Sequence, residues 1–214
     1  MIVILLAGAF AVGYFLNLVM RYTQEYKDAA KQRLVAAGGS HAKQHGFGDS
    51  GMSTLAAAAG VTTGSLYKHF GGKADLFASL ISAELKRTAQ MYEAIDPTDH
   101  KGALKSMTSY LSLKHVQHPD SGCPLPSLTS EVARADQSVR DAFQEGIQEI
   151  HANVKKFTGS ADDAWTLIAQ NVGAVMIARA LSDEKLQREL LAALRRSAQR
   201  LLRDQSGGKP GHHS

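Results

Sequence analysis

Apolar residues recur every three or four positions along most of this chain, and no segment alternates apolar and polar residues as a strand does. Short clusters of glycine, proline, serine and aspartate interrupt the pattern, and the longest of them covers residues 118–124. Helices of this length are marginal alone and become stable when their apolar faces pack together. The sequence therefore predicts an all-α fold.

The interruptions also predict where individual helices begin and end. Gly60 is placed to end one helix as a C′ glycine does, and Thr62 is suited to cap the next. Asp96 precedes Pro97 and resists helical geometry, while Ser160 with Asp163 three residues later resembles a capping box. The predicted helices cover residues 23–44, 52–59, 63–69, 73 to about 95, 99–117, 125–134, 137–157, 161–181 and 184–204.

Residues 1–19 carry no charge, and the run is about as long as a helix needs to cross a bilayer. It lacks the basic start and the small-residue cleavage site of a secretory signal. Two interpretations stay open: a membrane anchor followed by basic residues, or a start codon assigned too far upstream, with Met20 as the true beginning. The membrane is a partner only if residues 1–19 are translated.

Basic residues are concentrated in the N-terminal third of the chain. The formal net charge is +4 and the pI is near 9.2, and between Met20 and Gln90 nine Lys/Arg stand against five Asp/Glu. This excess suits a polyanionic partner. The single cysteine, Cys123, excludes an internal disulfide, so a reducing cytoplasm is the expected location.

Two short predicted helices, 52–59 and 63–69, are joined by a tight turn containing Gly60, a pattern typical of a helix-turn-helix. At fixed spacing around them, residues 26–80 closely resemble the TetR family of repressors. The matching residues are Gly46, Phe47, Leu55, Ala56, Ala59, Gly60, Val61, Gly64, Leu66, Tyr67, His69, Phe70, Lys73, Leu76 and Phe77. The resemblance implies a repressor, not an enzyme, that binds a palindromic double-stranded DNA operator as a homodimer and is released by a small-molecule inducer.

The same resemblance implies an N-terminal three-helix helix-turn-helix DNA-binding domain over residues 20–80, with the motif itself at residues 51–70. A C-terminal helical domain for ligand binding and dimerisation would cover residues 81–204, before a disordered tail at residues 205–214. The implied recognition helix is Thr63 to His69, lying in the major groove. Its implied DNA-binding residues are Thr62, Thr63, Ser65 and Lys68 toward the groove, Gly64 where the backbone approaches DNA, and Tyr67, His69 and Lys73 on phosphates.

The sequence departs from the family pattern at two points. Gly51 stands where serine or threonine normally caps the second helix, which weakens the cap only slightly because glycine is tolerated there. Gly38 and Gly39 interrupt the first helix at a cost of about 1 kcal/mol each relative to alanine. Neither departure removes an expected DNA contact.

The last two predicted helices are expected to form the dimer interface. Residues 165–181 are apolar almost all round, and the final helix gathers leucines on one side. Two such pairs would make a four-helix bundle across a two-fold axis. The alternative is that these faces bury only within one chain. The leucines are Leu186, Leu190, Leu194, Leu201 and Leu202.

Methionine, aromatic and aliphatic residues of the C-terminal half are candidates for the inducer pocket, although such residues also build ordinary cores. Cys123 offers two further hypotheses: a thiol that senses oxidants or electrophiles, and an enzyme nucleophile with His115 as its base. A membrane-tethered regulator is another. No metal site and no cofactor are expected. The pocket candidates are Met91, Met107, Tyr110, Leu111, Cys123, Leu128, Phe143, Ile147 and Trp165.

Overall fold

The structure, a computed structural model, describes residues 27–203, so the predictions for residues 1–19 and 205–214 lie outside it. Over the described residues the chain is helical with no strand, which confirms the all-α prediction. None of its described helices has the length and apolarity to span a bilayer. The helices are α1 (27–45), α2 (Met52–Ala58), α3 (Thr63–His69), α4 (Lys73–Glu93), α5 (His100–Tyr110), α6 (Leu113–Gln117), α7 (Leu125–Val132), α8 (Gln137–Thr158), α9 (Ala161–Ala180) and α10 (Glu184–Arg203).

The prediction of one continuous helix over residues 99–117 is wrong. Residues 99–117 form two helices, because Ser112 adopts an extended backbone with φ −122° and ψ 153°. Its hydroxyl accepts a hydrogen bond from the backbone N–H of His115 at 3.3 Å and so caps α6 anew. No glycine or proline marks this break, which is why the periodic pattern runs through it.

The predicted helix caps are confirmed. Gly60 has φ +67°, a conformation that glycine adopts without strain, and it ends α2. Thr62 accepts a hydrogen bond from the backbone N–H of Ser65 at 3.1 Å. Ser160 does the same for the N–H of Asp163 at 3.3 Å, whereas Gly51 caps α2 without a side-chain hydrogen bond. Local signals of this kind therefore fix the helix starts around the turn.

The main packing contact of the fold joins α4 to α8. Gly146 of α8 lies so close to α4 that a Cβ atom there would come within 2.5 Å of the Cβ of Leu85. Leu85 is fully buried in a core that runs along α4 on both sides of residue 80. Glycine at this position lets the two helix backbones approach more closely than any other residue would.

The glycine pair in α1 serves a similar contact. A Cβ at Gly38 would lie 3.6 Å from Leu80 Cδ1, and one at Gly39 would lie 2.9 Å from Glu84 Oε1. The contact at Gly38 is an ordinary van der Waals distance, whereas glycine at position 39 makes room for the Glu84 side chain of α4. This contact joins the N-terminal helices to the rest of the molecule.

Candidate functional site

Helices α2 and α3 form a compact pair held by buried apolar residues. Leu55, Ala56 and Leu66 are each 1% exposed, and the next residue after α3, Phe70, is 2% exposed. Phe70, one of the residues that match the family pattern, thus packs in the core. These contacts fix the angle between two helices that would be marginal alone. The pair therefore presents the remaining face of α3 as a defined surface.

That face carries the residues that the sequence singles out. Thr62, Gly64, Tyr67 and Lys68 are exposed, and Tyr67 reaches 55% exposure. A Cβ built at Gly64 meets nothing within 4 Å, so packing within the described chain does not require glycine there. Thr63, Ser65 and His69 are half-buried and lie on the same short helix. The structure brings these seven residues together, and their roles toward DNA stay predictions.

Lys73 begins α4 beside the turn that follows α1. Its Nζ donates a hydrogen bond to the carbonyl of Gly48 at 2.6 Å and lies 5.3 Å from the ring centre of Phe47. Phe47 is 3% exposed and stacks on Phe77 with 4.1 Å between ring centres. Lys73 is thus held beside α3, where it fastens the turn between α1 and α2.

Glu131 of α7 reaches the same turn from the C-terminal half. Its carboxylate accepts hydrogen bonds from the backbone N–H of Phe47 at 3.0 and 3.1 Å and from that of Gly48. Bonds to an ionised acceptor are stronger than neutral ones. Sequence patterns do not reveal this pairing, because the partners are 84 residues apart and Glu131 has no distinguishing neighbours.

A second polar junction lies further along α4. Lys43 of α1, 5% exposed, pairs with Glu84 at 2.8 Å and donates to the carbonyl of Gly122 at 3.1 Å. Arg87 makes the same two contacts at 2.9 and 3.1 Å. Two cations from different helices therefore converge on one carboxylate and on the loop before α7.

A cavity of about 520 Å³ opens beside that loop, between α4, α5 and α6. Three predicted pocket residues line it: Met91, Tyr110 and Cys123. The other candidates lie elsewhere. Leu111 and Leu128 are buried in the core, and Phe143 and Ile147 are half-buried against it. Trp165 is 43% exposed and stacks on His151. The Met107 side chain lies outside the described part of the structure.

Cys123 is 8% exposed, and burial raises the pKa of its thiol. A raised thiol pKa reduces the thiolate that reaction with oxidants requires. Its backbone N–H donates to Nε2 of His115 at 3.1 Å, while Nδ1 of that ring lies 2.8 Å from the carbonyl of Tyr110. Both ring nitrogens are thus engaged with backbone, which leaves His115 no free nitrogen to serve as a base for the thiol. No group of three or more His, Cys, Asp or Glu residues in the described chain is arranged to hold a metal.

Comparisons with known proteins agree with this arrangement. Residues 34–80 match the family model for bacterial regulatory proteins, tetR family. That match covers α2, α3, the start of α4 and most of α1. A comparison with curated protein sequences gives no match.

Several solved structures share the whole fold at low sequence identity. E. coli NemR in its reduced form is similar with a TM-score of 0.68 and 22% identity, over 81% of this chain and 98% of that one. A TetR transcriptional regulator from Legionella pneumophila gives 0.65 and 18%, over 78% and 96%. A regulatory protein TetR from Rhodobacter sphaeroides gives 0.64 and 21%, over 80% and 98%.

Proposed function

Because this chain belongs to the tetR family of bacterial regulatory proteins and is a DNA-binding transcriptional regulator, we propose that it is a repressor released by a small molecule. In this proposal a homodimer binds a palindromic operator, α3 enters the major groove, and the inducer enters the cavity beside Tyr110. The regulator would act in the cytoplasm, where the operator is.

The exposed face of α3 is the observation that carries the DNA-binding part. A recognition helix needs accessible side chains on a helix that cannot tilt. Leu66 is buried and anchors one side of α3 in the core. Tyr67 and Lys68 are exposed, so the other side of the helix is open. Lys73 at the start of α4 adds a cation near a positive helix end, which suits a phosphate.

The dimer is supported by an apolar stripe on α9. Trp165, Gly173, Met176 and Ile177 recur at helical spacing on one side, and the two last are 41% and 55% exposed. A Cβ atom at Gly173 would have no atom of the described chain within 4 Å beyond its own neighbours in the helix. Leu186 of α10 is 46% exposed as well. A second copy would bury this stripe, and a two-fold dimer is what a palindromic operator requires.

Release is supported by the connection between cavity and DNA-binding helices. α4 begins at Lys73 beside the α3 face and reaches the cavity with Thr88, Met91 and Tyr92. The loop that closes the cavity also receives Lys43 and Arg87 through the Gly122 carbonyl. We expect α4 and this loop to have two arrangements, one of which a ligand binds more tightly. The difference in affinity would shift the protein toward that arrangement and so change the spacing between the α3 helices of the two protomers.

Thiol sensing is not part of the proposal. The solved structure of E. coli NemR is described as a reduced form, but the burial and raised thiol pKa of Cys123 do not favour a reactive cysteine here.

DNase footprinting of the region upstream of the gene tests the proposal. A protected palindrome is expected for the wild-type chain and a much weaker one for Lys68→Ala. Lys155→Ala removes the same charge from an exposed site on α8 and should leave the footprint intact. Titration of a ligand library against the bound operator then tests release. Absence of any protected palindrome would overturn operator binding.

A further inference from the structure

We propose that the cavity between α4, α5 and α6 binds a small organic anion with an apolar body, an inference that rests on the proposed function. Its wall carries the basic side chains of Arg87, Lys105 and Lys114, together with the imidazoles of His115 and His118. Among the described residues that line it, none is aspartate or glutamate. A cleft lined by one sign of charge concentrates ligands of the opposite sign.

None of the acidic residues close to this wall in sequence lines it: Glu93 and Asp96 are exposed, and the others are Glu84, Asp99 and Asp120. Glu84 is held in ion pairs with Lys43 and Arg87 at 2.8 and 2.9 Å. Asp99 accepts a hydrogen bond from the backbone N–H of Gly102 at 2.9 Å, at the start of α5. Asp120 lies in the short 3-10 helix Pro119–Ser121 and does not line the cavity. The charged side chains that line the cavity are therefore all basic.

Arg87 keeps donors available to a ligand. Its side chain is 45% exposed, and its contacts to Glu84 and to the Gly122 carbonyl are both made by Nη2. Its Nε and Nη1 make no hydrogen bond to the described residues. Each of these N–H groups can donate a charge-assisted hydrogen bond to one oxygen of a carboxylate or sulfonate.

The remaining lining defines the rest of the ligand. Ser106, Ser109 and Tyr110 also line the cavity. The buried Tyr110 hydroxyl lies beside the Cys123 thiol, a weak partner, and has no other partner of ordinary geometry among the described residues. Met91 and Ile95 add an apolar wall on the side of α4. The volume of about 520 Å³ is that of a pocket for a drug-sized molecule.

Two dyes that differ by one sulfonate group test the inference: anilinonaphthalene sulfonate and its uncharged parent, phenylnaphthylamine. Each is titrated into the full chain and its affinity is measured by fluorescence. The sulfonate is expected to bind about tenfold more tightly, because only the charged dye can accept charge-assisted hydrogen bonds from the basic lining. The double variant Lys105→Gln, Lys114→Gln should lower the sulfonate affinity by about tenfold and leave the uncharged dye unchanged. Both lysines are exposed, so the variant is expected to fold.

The control variant Lys155→Gln, Lys185→Gln removes two charges from exposed positions on α8 and α10. It should leave both dye affinities unchanged. Equal affinity of the wild-type chain for the two dyes, or an equal loss in the control, would overturn the anion site.

Operator binding is measured in a separate titration without dye, so the two proposals fail independently. A chain that binds no operator yet discriminates the dyes as expected would refute the repressor and keep the anion site. A chain that binds its operator and does not discriminate the dyes would refute the anion site and keep the repressor.

Discussion

The carboxylate of Glu131, on a helix of the C-terminal half, accepts hydrogen bonds from the backbone N–H of Phe47, in the turn that leads to α2. The same turn is held from the other side by Lys73, which donates to the Gly48 carbonyl. The turn that leads to the helix-turn-helix is therefore bonded to Glu131 of α7, in the C-terminal half. We expect a displacement of α7 to reach this turn through the Glu131 carboxylate.

Glu131→Gln should lower both stability and operator affinity. The variant keeps one acceptor oxygen but loses the charge. Because the site is half-buried, the substitution should lower the free energy of unfolding by about 1 kcal/mol. Denaturant unfolding and fluorescence anisotropy with an operator duplex measure the two effects. Glu145→Gln, at an exposed position on α8, is the matched control. Unchanged operator affinity in Glu131→Gln would show that the turn is positioned without this carboxylate.

Lys73→Ala should weaken binding to every DNA sequence about equally and reduce the slope of log affinity against log salt by about one unit, because a phosphate contact releases counterions without reading bases. Operator and random duplexes are compared by anisotropy at several salt concentrations. Lys73→Arg keeps the charge and should retain the slope. A change in base preference would contradict the phosphate assignment.

Thr63→Ala and Ser65→Ala should each change base preference at particular operator positions, by about 1 to 3 kcal/mol for a good base contact. Both residues lie on α3, and the Ser65 backbone N–H that Thr62 caps is retained in the variant. Selection from a random duplex library, followed by sequencing, gives the preferred site of each variant. Uniform weakening with an unchanged preferred site would place these residues on phosphates.

Stability should fall as the pH falls below about 6.5, in part through His115. Burial lowers the pKa of His115, and nearby Arg179 and Lys43 lower it further, while the hydrogen bond to the Tyr110 carbonyl opposes this. Above the unfolded pKa both states are neutral; below it the unfolded chain takes up a proton that the folded chain resists, so unfolding becomes more favourable. His115→Gln should flatten this dependence in denaturant titrations between about pH 7.5 and 5.5, whereas His118→Gln, at an exposed neighbour, should not. Identical pH dependence in wild type and His115→Gln would contradict the argument.

Ile177→Asp should dissociate the dimer. The residue is 55% exposed on the apolar stripe of α9, so a carboxylate there leaves the isolated chain folded but would be buried unpaired between two copies. Sedimentation velocity reports the oligomeric state, and circular dichroism checks the fold. Gln148→Asp, exposed on α8, should remain dimeric. A dimer that survives Ile177→Asp would move the interface away from this stripe.

Features encoded locally could be predicted from the sequence. The bounds of α3, the positive φ of Gly60 and the Thr62 cap each depend on a few adjacent residues. The core position of Phe70 follows from its spacing to Leu66. Short-range patterns were therefore sufficient for the bounds and the cap of α3, whereas the residues assigned to its DNA-facing side came from the family resemblance.

Features made by residues distant in the chain could not be predicted. Lys43 lies in an amphipathic helix, where the sequence pattern predicts a charge exposed to solvent. The side chain is only 5% exposed, because it is buried against Glu84 and the Gly122 carbonyl, to which it donates hydrogen bonds. The basic lining of the cavity is assembled from α4, α5 and α6, whose lysines look like ordinary surface residues one helix at a time. Such sites require the tertiary fold.

The close approach of Gly146 to Leu85 marks a point about which α4 could pivot as a lever. At about 1.5 Å per residue, Leu85 lies roughly 10 Å from Tyr92 at the cavity end and roughly 18 Å from Lys73 at the other. If α8 acts as the fulcrum at Leu85, a displacement of Tyr92 is magnified by about 1.7 at Lys73 and reversed in direction. A ligand that shifts Tyr92 by a small fraction of a helical turn would then move the α3 face by nearly twice as much.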